Sequence, residues 1–337
     1  MDEQHMLDKI QAFPRQIQSA WSLLKELDLK PPALDSIDQV LVIGMGGSAI
    51  AGDLVAALLA DQCKHPIIVH RSYGLPAWVD KRTLVIASSF SGNTEETLSG
   101  WKRACTLDSP RFAITTGGAL AEQTEAERLI QFDYDSQPRA ALGFSFTLLL
   151  ALLARIGLFP NPADELAAAV KALKAADDEP SPSTKAMLKH VEDGIPVILA
   201  AEHLVPVARR WSTQINENSK SWAFWNEYPE LDHNVIVGLG LPKWSVEDEA
   251  LRVINLHSDH YHSKIKRRIE ITTELIRDAG IPVLDYSLEK KASRLNEMLQ
   301  TIAKGDYLSY YLAEKYKVDP TPVPEIQTLK ERLKTQS

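Results

Sequence analysis

Residues 39–60 read QVLVIGMGGSAIAGDLVAALLA. Val40–Ile43 is an unbroken apolar run, the mark of a strand covered on both faces. Gly44, Gly46 and Gly47 follow within four positions. From Ser48 the apolar residues continue as a helical run. The stretch is strand, tight loop, helix, and the same order recurs. Residues 65–70 (HPIIVH) form a second apolar run. Residues 83–104 (TLVIASSFSGNTEETLSGWKRA) repeat strand, Ser/Gly loop and helix, and residues 111–129 (RFAITTGGALAEQTEAERL) supply a fourth strand. Such alternation predicts a parallel sheet clad by helices, an α/β fold.

Working outward, Met6, Ile10, Phe13, Ile17, Trp21 and Leu24 predict one amphipathic helix over residues 1–30, ended by Pro31-Pro32. Residues 139–158 read as a long buried helix, and 160–183 are rich in Ala, Pro and acids. A second set follows. Strands are expected at 194–202, 234–240 (NVIVGLG), 250–258 and 281–287, and helices at 205–219, 263–279, 292–314 and 325–334. A chain of 337 residues exceeds what one core usually serves. The expected division is an α/β domain at 1–155, a linker region at 156–184 and a second α/β domain at 185–337.

Apolar residues make up 45% and charged residues 24%, which excludes a disordered chain, a collagen and a coiled coil. Lys and Arg total 37 against 45 Asp and Glu, a net charge of −8, which argues against nucleic-acid and anionic-membrane partners. Cys63 and Cys105 form no CxxC pair, so a reducing compartment is expected. The first ten residues, MDEQHMLDKI, hold no apolar signal region. The apolar stretches at 40–52 and 140–154 fall short of the ~18 residues of a membrane span. A cytoplasmic protein is the expectation.

The Gly44–Ala49 loop lets backbone amides at a helix start approach an anion. It satisfies the loose dinucleotide fingerprint, but the second strand ends in His70-Arg71-Ser72 with no acid for a ribose. The 88–97 loop, SSFSGNTEET, crowds hydroxyls before a helix. Hydroxyls and amides together wrap a phosphate, although an ordinary N-cap loop shares this composition. Residues 211–234, WSTQINENSKSWAFWNEYPELDHN, place Glu217, Glu227, Glu230, Asp232 and His233 among aromatic residues. A partly desolvated carboxylate is a candidate base and His233 a candidate proton shuttle. His257, His260 and His262 have metal-like spacing but read as exposed loop histidines, and no metal or other cofactor is expected. On its own, Lys330 reads as a surface lysine of the last helix.

Together LVIGMGGSAIAGDL, SSFSGNTEETL, PRAALGFS and NENSKSWAFWNEYPELDHN resemble the bifunctional phosphoglucose/phosphomannose isomerases of the sugar isomerase (SIS) domain superfamily. The resemblance runs from about residue 38 to the terminal LKERL. It implies two SIS domains, each a five-stranded parallel sheet flanked by helices, in a homodimer with shared active sites. It implies metal-independent interconversion of glucose 6-phosphate or mannose 6-phosphate with fructose 6-phosphate. By position, Gly46, Gly47 and Ser48 would line the site, and Ser89, Ser91 and Thr94 would bind the phosphate. Arg139 would stabilise an enediolate, Glu217 would move the proton between C1 and C2, and His233 would open the ring from the neighbouring subunit. Lys330 would be the C-terminal active-site lysine. Phe90 replaces a tyrosine common in the family, and Asp232 stands where asparagine is expected. The alternatives are a single-substrate phosphoglucose isomerase and a non-catalytic sugar-phosphate-sensing module.

Overall fold

The structure, a computed structural model, describes residues 2–176, 180–288 and 292–334. The chain opens with α1 (Met6–Gln11) and α2 (Phe13–Glu26). The single helix expected over 1–30 is thus two, parted at Ala12. Pro14 sits in the first turn of α2, where its missing N–H costs nothing. Then come β1 (Gln39–Ile43), α3 (Gly46–Leu58), β2 (Ile67–His70), β3 (Thr83–Ser88), α4 (Glu95–Thr106), β4 (Arg111–Thr115), α5 (Gly118–Glu122) and β5 (Leu129–Gln131). These strands form one parallel sheet in the order β2-β1-β3-β4-β5.

Both faces of this sheet are covered, as its apolar strands require. Val40, Val42, Leu84 and Ile86 join the cluster under α3 and α6 (Leu142–Ile156). Their neighbours Leu41, Ile43, Val85 and Ala87 join Trp101 and Ala104 of α4. The two-residue period of the strands sorts the side chains between the faces. α6 is almost wholly buried, from Leu142 to Ile156, and ends at Gly157 in the left-handed region.

α7 (Ala163–Ala175) lies within the 156–184 stretch, and α8 (Pro182–Val191) begins there, capped by the Ser181 hydroxyl. The second half contains β6 (Ile195–Ala201), α9 (Val205–Ser219), β7 (Phe224–Tyr228), α10 (Trp244–Glu247), β8 (Leu251–Leu256), α11 (Ser263–Asp278), β9 (Val283–Tyr286), α12 (Arg294–Tyr316) and α13 (Pro324–Lys334). Its parallel sheet has four strands among the described residues, in the order β7-β6-β8-β9, where the resemblance implied five. The strand expected at 234–240 is a short 3-10 turn, Val235–Gly238. Asn234 turns the chain there by accepting from the Val235 amide at 2.6 Å. Residues 224–228, FWNEY, carry the pairing with β6 instead. α12 packs along α9, where Gly305 lets the Trp211 ring lie directly on its backbone.

Candidate active site

In the first sheet, β1 lies between β2 and β3, so the chain reverses direction across it. The carboxyl ends of the strands at such a reversal leave a crevice, where α/β sheets hold ligands. Here β1 delivers the Gly44–Ser48 loop and β3 delivers the Ser88–Thr94 loop. The two loops touch. The Phe90 amide donates to Ser48 Oγ at 3.3 Å. A Cβ added to Gly44 would lie 2.6 Å from the Ser88 carbonyl oxygen, so only glycine permits the approach.

Neither α3 nor α4 has a side-chain cap at its N-terminus. Thr94 occupies the cap position of α4, but its hydroxyl instead meets Ser89 Oγ at 3.0 Å. Ser89 Oγ also accepts from the Gly92 amide at 3.1 Å, and Ser91 Oγ accepts from the Asn93 amide at 3.2 Å. Ser48 and Ser89 are buried and Ser91 is exposed. Two helix starts and a set of hydroxyls thus converge, an arrangement that favours an anion.

Gly47 connects this crevice to the rest of the site. A Cβ there would lie 2.9 Å from the Pro138 carbonyl oxygen and 3.3 Å from Arg139 Cα. Arg139 sits on a 3-10 turn (Pro138–Ala140) just before α6, only 4% exposed. Its Nη1 donates to Glu217 Oε2 at 3.3 Å. Burial pushes the Arg139 guanidinium below its ordinary range; Glu217 opposes the shift and Arg210 adds to it. An arginine remains charged through such shifts.

Glu217 lies in the last turn of α9. The inward side of that helix carries Trp211, Gln214, Ile215 and Asn218, while Thr213, Asn216 and Glu217 face outward. The outward face lines a groove of about 780 Å³ with Lys220, Trp222, Phe224, Trp225 and Val323. α9 ends at Lys220 in the left-handed conformation, and Lys220 Nζ donates to the Glu217 carbonyl, capping its own helix.

The structure therefore brings together Gly47, Ser48, Ser89, Thr94, Arg139 and Glu217 through a continuous set of contacts. Gly46 opens α3 in the left-handed region. His233 and Lys330 stand apart. His233 is exposed in the turn Glu230–His233, and Lys330 is exposed on α13. Among the described residues, no hydrogen bond or ion pair joins either to Glu217 or Arg139. Asp232 is engaged elsewhere: it accepts from Thr272 Oγ1 at 2.8 Å and from Arg268 at 3.2 Å. The metal-like histidines are each engaged too. His257 pairs with Asp285 at 2.6 Å, His260 with the Ala292 carbonyl at 2.7 Å, and His262 Nδ1 accepts from the Lys264 amide.

Some residues of the site escape a reading of the sequence. Arg139 Nε donates to Asn218 Oδ1 at 2.7 Å, and its Nη2 donates to the Pro320 and Thr321 carbonyls at 2.8 Å each. Arg210 holds the Arg139 carbonyl at 2.9 Å and forms a buried pair with Asp306. The one available signal was Asn218 beside a candidate base; a backbone carbonyl leaves no trace in residue type.

A relative from Caldicellulosiruptor bescii, a bifunctional phosphoglucose/phosphomannose isomerase, is 41% identical over 339 residues, covering 97% of this chain and 98% of its own. The chain belongs to the bifunctional phosphoglucose/phosphomannose isomerase family. The model of the bacterial phospho-glucose isomerase C-terminal SIS domain matches residues 182–333. Solved structures share the fold at low identity. A hypothetical protein of Thermus thermophilus superposes with a TM-score of 0.75 at 16% identity, covering 99% of this chain and 91% of its own. Tagatose-6-phosphate ketose/aldose isomerase of Escherichia coli superposes with a TM-score of 0.67 at 16% identity, covering 94% and 95%.

Proposed function

We propose that this chain is an aldose–ketose isomerase that interconverts glucose 6-phosphate and mannose 6-phosphate with fructose 6-phosphate. The observation that carries the reading is the Arg139–Glu217 pair at 3.3 Å, a carboxylate and a cation side by side, abutting the hydroxyl-lined crevice through Gly47. Membership of the family supports the same activity.

The chemistry follows from the residues. An aldose–ketose shift moves one proton between C1 and C2 while negative charge builds on the oxygens. The phosphate binds at the starts of α3 and α4, with Gly46, Gly47 and Ser48 on one side and Ser89, Ser91 and Thr94 on the other. That remote binding energy holds the open-chain sugar against the reacting groups. Glu217 takes the proton from one carbon and returns it to the other. Arg139 donates to the enediolate oxygens, where a preplaced cation is worth most. Rotation about C2–C3 lets either C2 epimer present its proton to the one base.

His233 opens the sugar ring, and it does so from a second copy. In one chain it is exposed and unconnected to Glu217, while Trp222 just before β7 and Val237, Leu241 and Trp244 after it lie exposed. A homodimer that covers these side chains brings His233 to a neighbour's site. Lys330 on α13 supplies a further cation to the closed site. The substrates and the acidic surface fit a cytoplasmic enzyme without nucleic-acid or membrane partners; no described helix is long and apolar enough to cross a membrane.

The test is conversion of glucose 6-phosphate and of mannose 6-phosphate, followed as fructose 6-phosphate formed with EDTA present. Turnover of both supports the assignment. Turnover of one narrows it to a single-substrate isomerase. Binding of both with turnover of neither replaces it by a sugar-phosphate-sensing module.

A further inference from the structure

Resting on the isomerase reading above, we infer that Asn218 is a positioning residue that decides which nitrogen of Arg139 faces the reacting carbons. A guanidinium has five N–H bonds: one on Nε and two on each terminal nitrogen. The Nε bond goes to Asn218 Oδ1, and both Nη2 bonds are taken by the Pro320 and Thr321 carbonyls. One Nη1 bond goes to Glu217. The second Nη1 bond is left, on the same nitrogen that meets the base. It is the donor available to an enediolate oxygen formed beside Glu217.

This orientation depends on Asn218 for a geometric reason. A planar guanidinium can turn about the Cδ–Nε bond, which swings the whole plane and carries both terminal nitrogens to new directions. An acceptor on Nε, opposite the Glu217 side, fixes the plane. Asn218 is itself fixed. It is 0% exposed, and its Nδ2 donates to Ser309 Oγ at 2.9 Å, which settles the amide with oxygen toward Arg139. Ser309 Oγ in turn donates to the Asp306 carbonyl on α12 at 2.8 Å. Asn218 also follows Glu217 in sequence. Successive helix residues point about 100° apart, so one faces the groove and the other grips the arginine. The same turn of α9 thus sets the base and the cation in register, with α12 as the support.

The experiment compares wild type with Asn218→Leu, Asn218→Asp and Ser309→Ala in steady-state conversion of glucose 6-phosphate, each checked for folding by circular dichroism and thermal melting. Asn218→Leu keeps the volume and removes the acceptor; kcat is expected to fall about 10²-fold, as for a small misplacement of a reacting group, with KM changed less than about threefold because the phosphate contacts remain. Asn218→Asp keeps an acceptor for Nε and is expected to recover kcat to within about fivefold of wild type. Ser309→Ala, which frees the amide to turn, falls between them. If Asn218→Leu fails to fold, the Ser309→Ala and Asn218→Asp pair decides alone. A folded Asn218→Leu or Ser309→Ala with wild-type kcat overturns the role, as does a loss confined to melting temperature. A wild-type protein that turns over no sugar phosphate overturns the isomerase reading itself, before any variant is compared.

Discussion

The two sheets each start from one edge with the same three-strand reversal, β2-β1-β3 in one and β7-β6-β8 in the other. Both create a crevice at the carboxyl ends of the strands, yet they end differently. At β1 and β3 the loops carry glycines and hydroxyls, and two helix starts are left without side-chain caps. At β6 and β8 the crevice is filled. Tyr261 inserts its phenol, accepting from the Ala201 amide at 3.1 Å and donating to the Leu256 carbonyl at 3.0 Å. Burial pushes that phenol well above its ordinary range and keeps it neutral. Beside it His203 meets Glu297 at 2.7 Å, and Ser258 donates to the same carboxylate at 2.6 Å. All four side chains are buried. The same topology thus gives one open, hydroxyl-lined crevice, the proposed phosphate site, and one polar plug; chemistry resides in the loops and not in the strand order.

Substitutions on the two sides should separate activity from stability. The largest effect is expected for Glu217→Gln. Removing a general base costs on the order of 10³-fold in kcat, while sugar-phosphate binding by calorimetry stays near wild type. Near-normal turnover in that variant would remove Glu217 from the mechanism. Next is Gly47→Ala, whose new methyl lies 2.9 Å from the Pro138 carbonyl oxygen. It pushes the Arg139 turn away and should lower kcat about 10²-fold with little change in melting temperature. In the filled crevice the outcome should invert. His203→Ala strips Glu297 of a partner and opens a cavity, costing roughly 2–4 kcal/mol in urea unfolding, while kcat per folded molecule is unchanged. A fall in kcat there would mean that the second crevice takes part in catalysis.

Smaller effects follow. Ser89→Ala and Thr94→Ala each remove one hydroxyl from the proposed phosphate site and should raise KM by about tenfold, the worth of one hydrogen bond to an anion. An unchanged KM in both would place the phosphate elsewhere. The smallest effect concerns Asp285, held at about 2 first by its hydrogen bond to His257 and also by Arg277, against the opposing effect of burial. A lowered carboxyl stabilises the fold above its ordinary value and loses that contribution as it protonates. The stability advantage of wild type over Asp285→Asn should therefore be present above about pH 4 and fade as pH falls toward 2. Partial exposure of the pair limits it to less than ~1 kcal/mol, measurable as urea midpoints across that range.

Much of this molecule was legible in order of sequence. The buried strands β1 and β3 announce themselves as apolar runs, and the glycines and hydroxyls that follow each are local neighbours in the chain. The weak points have physical causes. β5 and β7 are sheet-edge strands; β5 has only three residues, and the residues of β7 are mostly half-exposed or exposed. The apolar VIV run at 235–237 joins neither sheet and forms a 3-10 turn. Pro14 resets a helix that the apolar spacing alone would continue.

The sequence by itself determined the α/β order, the two glycine- and hydroxyl-rich loops and, through the resemblance to a family, Arg139 and Glu217 as candidates, because each of these motifs is made of residues close together along the chain. The tertiary structure decided what surrounds them. Arg139 is gripped by Asn218, Pro320 and Thr321, residues 79, 181 and 182 positions away. Two of those partners are backbone carbonyls, which every residue possesses, so no residue type could mark them. The same holds for the second crevice: His203, Ser258 and Glu297 come from three separate elements, and only folding makes them one cluster.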